Sequence, residues 1–238
     1  MSSRGSSRSA VAAVAAIAVA TCAGVRNDPE TTVTAGGGAG RYQYHSSGCA
    51  STGYQAQEVV GFAEVRHEFE GHLVASAAGA YVPATTVSED GGRGTERPYA
   101  LAARIGGKWP AVEFQIGPQV RVGPQYETLI LPDASLRLGP EVAYGWAEAW
   151  TQRSAGAVET AVQAGVGSES EYGLARVGIT GAQAGVGFVG RGLVAIGPSW
   201  RVGAEGVSAQ SFGPFDGPDW RAMALVQRRI RSVGRTDR

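Results

Sequence analysis

From Tyr99 to Trp109 the chain alternates between two kinds of residue. Tyr99, Leu101, Ala103, Ile105, Gly107 and Trp109 share one parity, and Ala100, Ala102, Arg104, Gly106 and Lys108 share the other. Successive strand side chains point to opposite faces, so a period of two marks a β-strand with unlike sides. The next segment repeats it, with Val112, Phe114, Ile116, Val120 and Val122 against Glu113, Gln115, Gly117, Gln119 and Arg121. A short phrase recurs as IGPQVRVG from Ile116, LGPEVAYG from Leu138 and IGPSWRVG from Ile196. The copies are unevenly spaced, which indicates one repeated strand type and not a solenoid of fixed period.

Applied along the chain, the pattern predicts strands near 40–46, 57–70, 72–83, 97–107, 110–123, 133–148, 155–167, 171–180, within 183–206 and over 218–230. The last competes with a helix, because Asp219 is a fair N-cap and Arg, Ala, Met and Leu follow it. Most segments exceed the usual globular strand and suit tilted membrane strands. Connections at 47–56, 84–96, 124–132 and 207–217 are long and polar or rich in Gly and Pro. Those at Gly71, Gly107 to Trp109, Gln152 to Ala155 and Gly181 to Ala182 are tight. Most long connections then fall on one end of the sheet, as in barrels with short periplasmic turns and longer outer loops. The expectation is an all-β, antiparallel up-and-down barrel of about ten strands, within a range of 8–12.

Aromatic positions bear on which face is outside. Tyr99 and Trp109 stand roughly 33 Å apart along a strand at 3.3 Å per residue. Tilted by about 40°, this projects to roughly 25 Å, the height of the apolar band between aromatic girdles on an outer-membrane barrel. The predicted girdle comprises Tyr99, Trp109, Tyr144, Trp146 and Trp150, the last three at and just past the end of a 133–148 strand that turns Leu136, Leu138 and Val142 outward. The opposite faces carry Glu64, Arg66, Glu68, Arg104, Glu113, Arg121, Arg137, Glu141, Arg201 and Glu205 among small neighbours. These ten are expected to form a neutralising network in a narrow lumen. A soluble barrel or sandwich would show the same period with valines inside and charges in water. Aromatic placement, loop asymmetry and strand length favour the membrane version.

Composition adds the cellular setting. Glycine is heavy, 36 of 238 residues, yet 43% of residues are apolar, which excludes a plain linker or collagen. The 21 basic and 21 acidic residues cancel, leaving no basic excess for nucleic acid. Arg4 and Arg8 precede the apolar run Ala10 to Ala20, too short for a permanent membrane helix and suited to an export signal over residues 1–21. Residues 22–39 read as a flexible linker, 40–231 as the barrel domain and 232–238 as a basic tail. Cleavage before Cys22 would leave it lipidated and Cys49 alone, whereas cleavage after Ala20 would let the two form a disulfide.

The Gly-Pro strands, Gly-rich inner faces and aromatic strand ends resemble small bacterial outer-membrane β-barrel proteins, over about residues 40–230. Val19-Ala20-Thr21-Cys22 resembles a lipobox, with Thr21 where Gly or Ala is usual. The chain departs from the barrel pattern at its end, IRSVGRTDR, where such barrels close on an aromatic residue. The resemblance implies a non-enzymatic envelope protein in contact with outer-membrane lipid, its loops 84–96 and 207–217 meeting an envelope partner. The alternative is a lipid-tethered periplasmic barrel or sandwich that binds a small apolar ligand, and a barrel-type lipid hydrolase ranks third. Catalytic signals are weak. His67 and His72 are five apart around Gly71 and do not make the helical His-Glu-X-X-His motif. No serine has a nucleophile's setting, and neither GGGAG (36–40) nor GVGFVGRG (185–192) opens a helix as a phosphate loop does. No cofactor, metal or nucleic acid is expected.

Overall fold

In a computed structural model, which describes residues 29–45, 53–88, 90–123, 126–154, 157–182, 185–209 and 219–231, the alternating segments form fourteen strands. They are β1 (Glu30–His45), β2 (Gly53–Glu68), β3 (Leu73–Tyr81), β4 (Ala84–Ser88), β5 (Arg93–Glu96), β6 (Tyr99–Trp109), β7 (Val112–Gly123) and β8 (Tyr126–Leu138), followed by β9 (Tyr144–Ser154), β10 (Ala157–Ser170), β11 (Gly173–Ala182), β12 (Gly185–Ala195), β13 (Trp200–Ala209) and β14 (Asp219–Arg231). Each pairs antiparallel with its neighbours, and β1 pairs with both β2 and β14. This closes a ring of twelve, with no free edge to template aggregation.

The other two strands, β4 and β5, form a hairpin that joins the ring through β2, where Ala84 to Ser88 pair with Glu58 to Tyr54. Proline has no N–H to give a ladder, and the two breaks fall at Pro83 and Pro98. The ladder nonetheless runs through them. Pro83 O accepts from Val59 N and Pro98 O from Val82 N, each at 2.9 Å, so β3–β4 and β5–β6 act as two long kinked strands.

Turns at 69–72, 110–111, 139–143, 171–172 and 196–199 lie at one end of the ring, together with Glu30 and Arg231. The β4–β5 hairpin and the connections after β1, β7, β9, β11 and β13 lie at the other, here termed the loop end. The predicted 133–148 strand is corrected to two. Its Gly-Pro opens a turn, with Gly139 at φ +112°, a left-handed conformation suited to glycine. The 183–206 stretch likewise divides at 196–199 into two strands. The two short connections at 155–156 and 183–184 share an end with the long ones, opposite to expectation. The C-terminal segment is strand β14, not a helix.

The linker assignment is also corrected, because residues 30–39 belong to β1. Gly36, Gly38 and Gly40 point inward between two close strands. A methyl group on Gly38 would lie 1.9 Å from Ala222 O, and one on Gly36 would lie 2.4 Å from Leu225 Cδ2. The run GGGAG is a tightly flanked strand whose lack of side chains hides its periodicity.

Outward positions are apolar and exposed. More than twice as many large apolar side chains lie outside as in the interior, Ile130 at 76% and Val177 at 61% among them. Among the described side chains of the ring, the outward positions carry no Asp, Glu or Lys, and Arg only at the ends, Arg41 and Arg228. Soluble proteins bury such surface.

Candidate functional site in the barrel lumen

The tight-turn half of the lumen holds a ring of ion pairs. Arg66 on β2 bonds Glu113 on β7 at 2.9 Å and also Glu68. Lys108 on β6 reaches Glu68 at 2.9 Å and Glu141 at 3.0 Å. Arg137 lies 3.6 Å from Glu113, and Arg104 bonds Asp133 at 2.8 Å. Further round, Arg176 bonds Glu148 at 2.7 Å, Arg191 bonds Glu205, and Arg201 bonds Glu169 at 2.8 Å. Arg229 and Arg231 join Glu30 across the closing seam at 2.7 and 2.8 Å. Arg221–Glu58 lies near the loop end, where the pair spans Gly40. Arg201 and Asp133 are each 2% exposed. Charges removed from water this far need partners, because an unpaired one costs several kcal/mol (~3–5).

Of the ten predicted lumen residues, Arg66, Glu68, Arg104, Glu113, Arg137, Arg201 and Glu205 point inward into these pairs. Glu64 lines the same cavity. Glu141 is corrected from a strand position to the 139–143 turn, from which its carboxylate reaches back to Lys108. Burial pushes that carboxyl up, but the charge and hydrogen bond of Lys108, with Arg137 behind, hold it below the usual glutamate value. Arg121 belongs to β7, and its side chain lies outside the described residues. The prediction missed Glu30 and Glu169, which lay outside its strands, Glu148, which it read in the wrong parity, and Asp133, Arg176, Arg191 and Arg229, which lay within its strands but were not assigned to the lumen.

Three predicted girdle residues are corrected. Tyr144, Trp146 and Trp150 face the lumen, because Leu138 pairs with Gly145 and the even number of residues between them, six, reverses parity between β8 and β9. Trp146 lies against Gly178 and under the Arg176 guanidinium at 4.8 Å, and its Nε1 donates to Val166 O at 3.2 Å. Tyr144 covers Gly167 and stacks with Arg137 at 5.3 Å. Tyr99 and Trp109 do face outward. Trp109 lies over Gly107 and stacks on His72 and Phe114, at 5.3 and 5.9 Å. Trp200, beneath Arg228 at 5.3 Å, and Trp220 are outward aromatics at opposite ends that the prediction omitted. Both begin a strand just after a turn signal, which was the available cue.

Two apolar clusters accompany the charges. One joins Val60, Leu193, Met223 and Leu225 with Phe62, Val82 and Leu174, and the other joins Tyr144, Trp146, Val189 and Val207. A cavity of about 190 Å³ remains on the tight-turn side, lined by seven acidic and seven basic side chains, among them Arg104, Arg137 and Arg176. Nε of all three, and Nη2 of Arg137, are buried without a hydrogen-bond partner. Such atoms in a roomy polar cavity are where buried water binds. No group of three or more His, Cys, Asp or Glu suited to a metal occurs among the described residues. His67 shares a 2.8 Å hydrogen bond with Thr31, and His72 Nδ1 lies 3.0 Å from Lys108 O. Cys22 and Cys49 lie outside the described residues.

No protein-family model and no curated protein matches the chain. Solved structures do. The translocator domain of autotransporter NalP from Neisseria meningitidis superposes with a TM-score of 0.50 at 11% identity, covering 94% of this chain and 98% of that one. The transport unit of the autotransporter AIDA-I from Escherichia coli scores 0.41 at 9% identity (86% and 90% covered). The Acinetobacter baumannii outer membrane protein Omp33 scores 0.38 at 13% identity (88% and 100% covered). The last two scores are too low to weigh. At 11% identity the first speaks for fold alone, and that fold is the closed antiparallel barrel of outer-membrane proteins.

Proposed function

We propose that this chain is a non-enzymatic outer-membrane barrel that anchors its loop-end surface in the envelope, with a lumen closed by its own side chains. The observation that carries this is the inversion of polarity, with an apolar, nearly uncharged outer wall around paired and buried charges. In water that wall would be a large aggregation-prone surface, whereas against lipid it is the ordinary solution. The inversion counts against the periplasmic soluble barrel, whose valines would fill a core. The β4–β5 hairpin, with exposed Asp90, Gly91, Gly92 and Arg93, is the contact surface for an envelope partner; the proposed second loop lies beyond Ala209, outside the described residues. Export, and lipidation of Cys22, belong to the same proposal.

The test is migration on a gel with and without boiling, after extraction from membranes. A compact unboiled band that shifts on heating, with the protein partitioning into detergent, is the expected outcome. A detergent-free soluble monomer after removal of residues 1–22 would refute the membrane reading. Unchanged mass and fractionation of Cys22→Ser would remove lipidation and leave the barrel reading intact.

A further inference from the structure

Inward residues are sorted along the barrel axis. From the tight-turn end toward the loop end, β2 presents Glu68, Arg66 and Glu64, then Phe62 and Val60. On β14, Arg229 and Gln227 come first, then Leu225 and Met223. The same order holds on β13 (Arg201 and Glu205, then Val207) and on β8 (Arg137 and Asp133, then Leu131), whereas on β12 the buried Leu193 comes before Arg191 and Val189 after it. On β6, Lys108 and Arg104 give way to Ala102 and Ala100. Charge therefore precedes apolar surface on five strands around the ring, β2, β6, β8, β13 and β14, so the two form successive layers there.

We propose that these layers are a hydrated vestibule open toward the tight-turn end and a dry apolar collar of Val60, Phe62, Leu131, Val189, Val207 and Met223. The collar, not the ion-pair network, bars the passage of small ions. The proposal rests on the membrane-barrel reading and adds the location of the barrier within it. Three observations meet here. The 190 Å³ cavity touches the charged layer and none of the six collar residues. The partnerless arginine nitrogens on its wall require water. Val60, Val189 and Met223 are all buried, at 3%, 4% and 8%. A narrow pore lined by such residues empties of water and stops ions without any charged barrier. Because the vestibule carries equal numbers of acidic and basic side chains, a path opened through the collar would pass small cations and anions with little preference.

The test has two arms, both on the full barrel with Cys22 and Cys49 replaced by serine. In the first, single cysteines are introduced as Glu64→Cys in the vestibule and Met223→Cys in the collar, and folded protein in micelles meets a charged thiol reagent. Reaction requires a hydrated thiolate, so the collar cysteine should react more slowly by about ten-fold or more. Equal rates, or protection of both sites, would overturn the proposal. In the second arm, planar bilayers receive the unaltered barrel, a Val189→Ser/Val207→Ser/Met223→Ser variant and Arg137→Gln. Silence from the first and third, with weakly selective current steps from the collar variant, is expected. Current through the unaltered barrel, or through Arg137→Gln while the folded collar variant stays silent, would overturn the proposal. Should the collar variant fail to fold, the thiol rates decide. Failure of the membrane reading is distinct, because it shows as absence of the heat-shifted band and of insertion.

Discussion

Adjacent glycines on β1 offer a sharp test of the barrel's closure. Gly37 faces outward, where an added methyl would meet Val60 O at 3.5 Å, an ordinary contact. Gly38 faces inward, where it would lie 1.9 Å from Ala222 O and 2.7 Å from Met223 Cα. Both clashing atoms are backbone of β14, so no side chain can rotate away. Restoring a normal separation needs a shift of over about 1 Å between β1 and β14, enough to lengthen two or three ladder hydrogen bonds worth about 1 kcal/mol each. With the usual overpacking cost of ~1–3 kcal/mol, Gly38→Ala should lose about 2–4 kcal/mol. Gly37→Ala should be neutral, or gain about 0.5 kcal/mol by reducing unfolded-chain entropy. The assay is the unfolding midpoint of the heat-shifted band, supported by a urea titration in micelles. For a chain of this size each kcal/mol moves the thermal midpoint by about 2–4 °C, so the two variants should differ by more than about 5 °C. Equal midpoints, or greater damage from Gly37→Ala, would refute the seam geometry.

Three further outcomes follow from the same structure. Val177→Arg places a charge mid-wall on an outward position of β11 and should cost about 2–4 kcal/mol in a bilayer, with loss of membrane insertion; a change under about 0.5 kcal/mol would mean that the wall faces water. Arg201→Met removes the partner of Glu169, leaving it only Arg229 at 3.6 Å, and should cost about 3 kcal/mol in urea unfolding, against almost nothing for Arg93→Met on the exposed hairpin. Glu141 has a lowered folded-state value, so its contribution is complete above the ordinary glutamate value of 4.5 and is lost as pH falls through the lower folded one. Glu141→Gln should flatten that part of the stability-against-pH curve, and an unchanged acid limb would show that the Lys108 contact is idle.

What was legible in the sequence was local. Within Tyr99 to Trp109, and again from Val112 to Arg121, the alternation is unbroken, and face and outward aromatics follow from counting by two, although the turn falls at 110–111 and not at Gly107 to Trp109. Two features defeated counting elsewhere. The first is a turn that sets an even number of residues, 139–144, between paired positions inside an apparently continuous alternation. Leu138-Gly139-Pro140 looks like the strand phrase at Ile116-Gly117-Pro118, yet Gly117 is in a strand and Gly139 turns the chain. One such miss transfers every later residue to the other face, which put Tyr144, Trp146 and Trp150 outside and hid Glu148. The second is glycine itself. On β1 the inward Gly36, Gly38 and Gly40 alternate with Gly37 and Ala39, so both faces look blank and the strand reads as linker. Their meaning lies in the neighbours, Leu225, Met223, Val60 and Phe62, which are far away in sequence and were not assigned to this seam.

The closing seam also shows how the first and last strands are joined. Strand β14 ends in Gln227, Arg228, Arg229, Ile230 and Arg231, without a terminal aromatic. Its inward Arg229 and Arg231 both grip Glu30 at the start of β1, and Arg229 reaches Glu169 on β10 at 3.6 Å. Gln227 donates to Thr34 at 3.2 Å and accepts from Arg201 at 3.3 Å. The first and last strands are thus tied by charge at the tight-turn end and by close glycine packing farther up. The outward Arg228 lies over Trp200, at the level where lipid headgroups would meet the wall. A seam built this way does not depend on glycine packing alone. It does need Glu30, a residue that the sequence pattern alone assigns to nothing, because its partners lie some two hundred positions away.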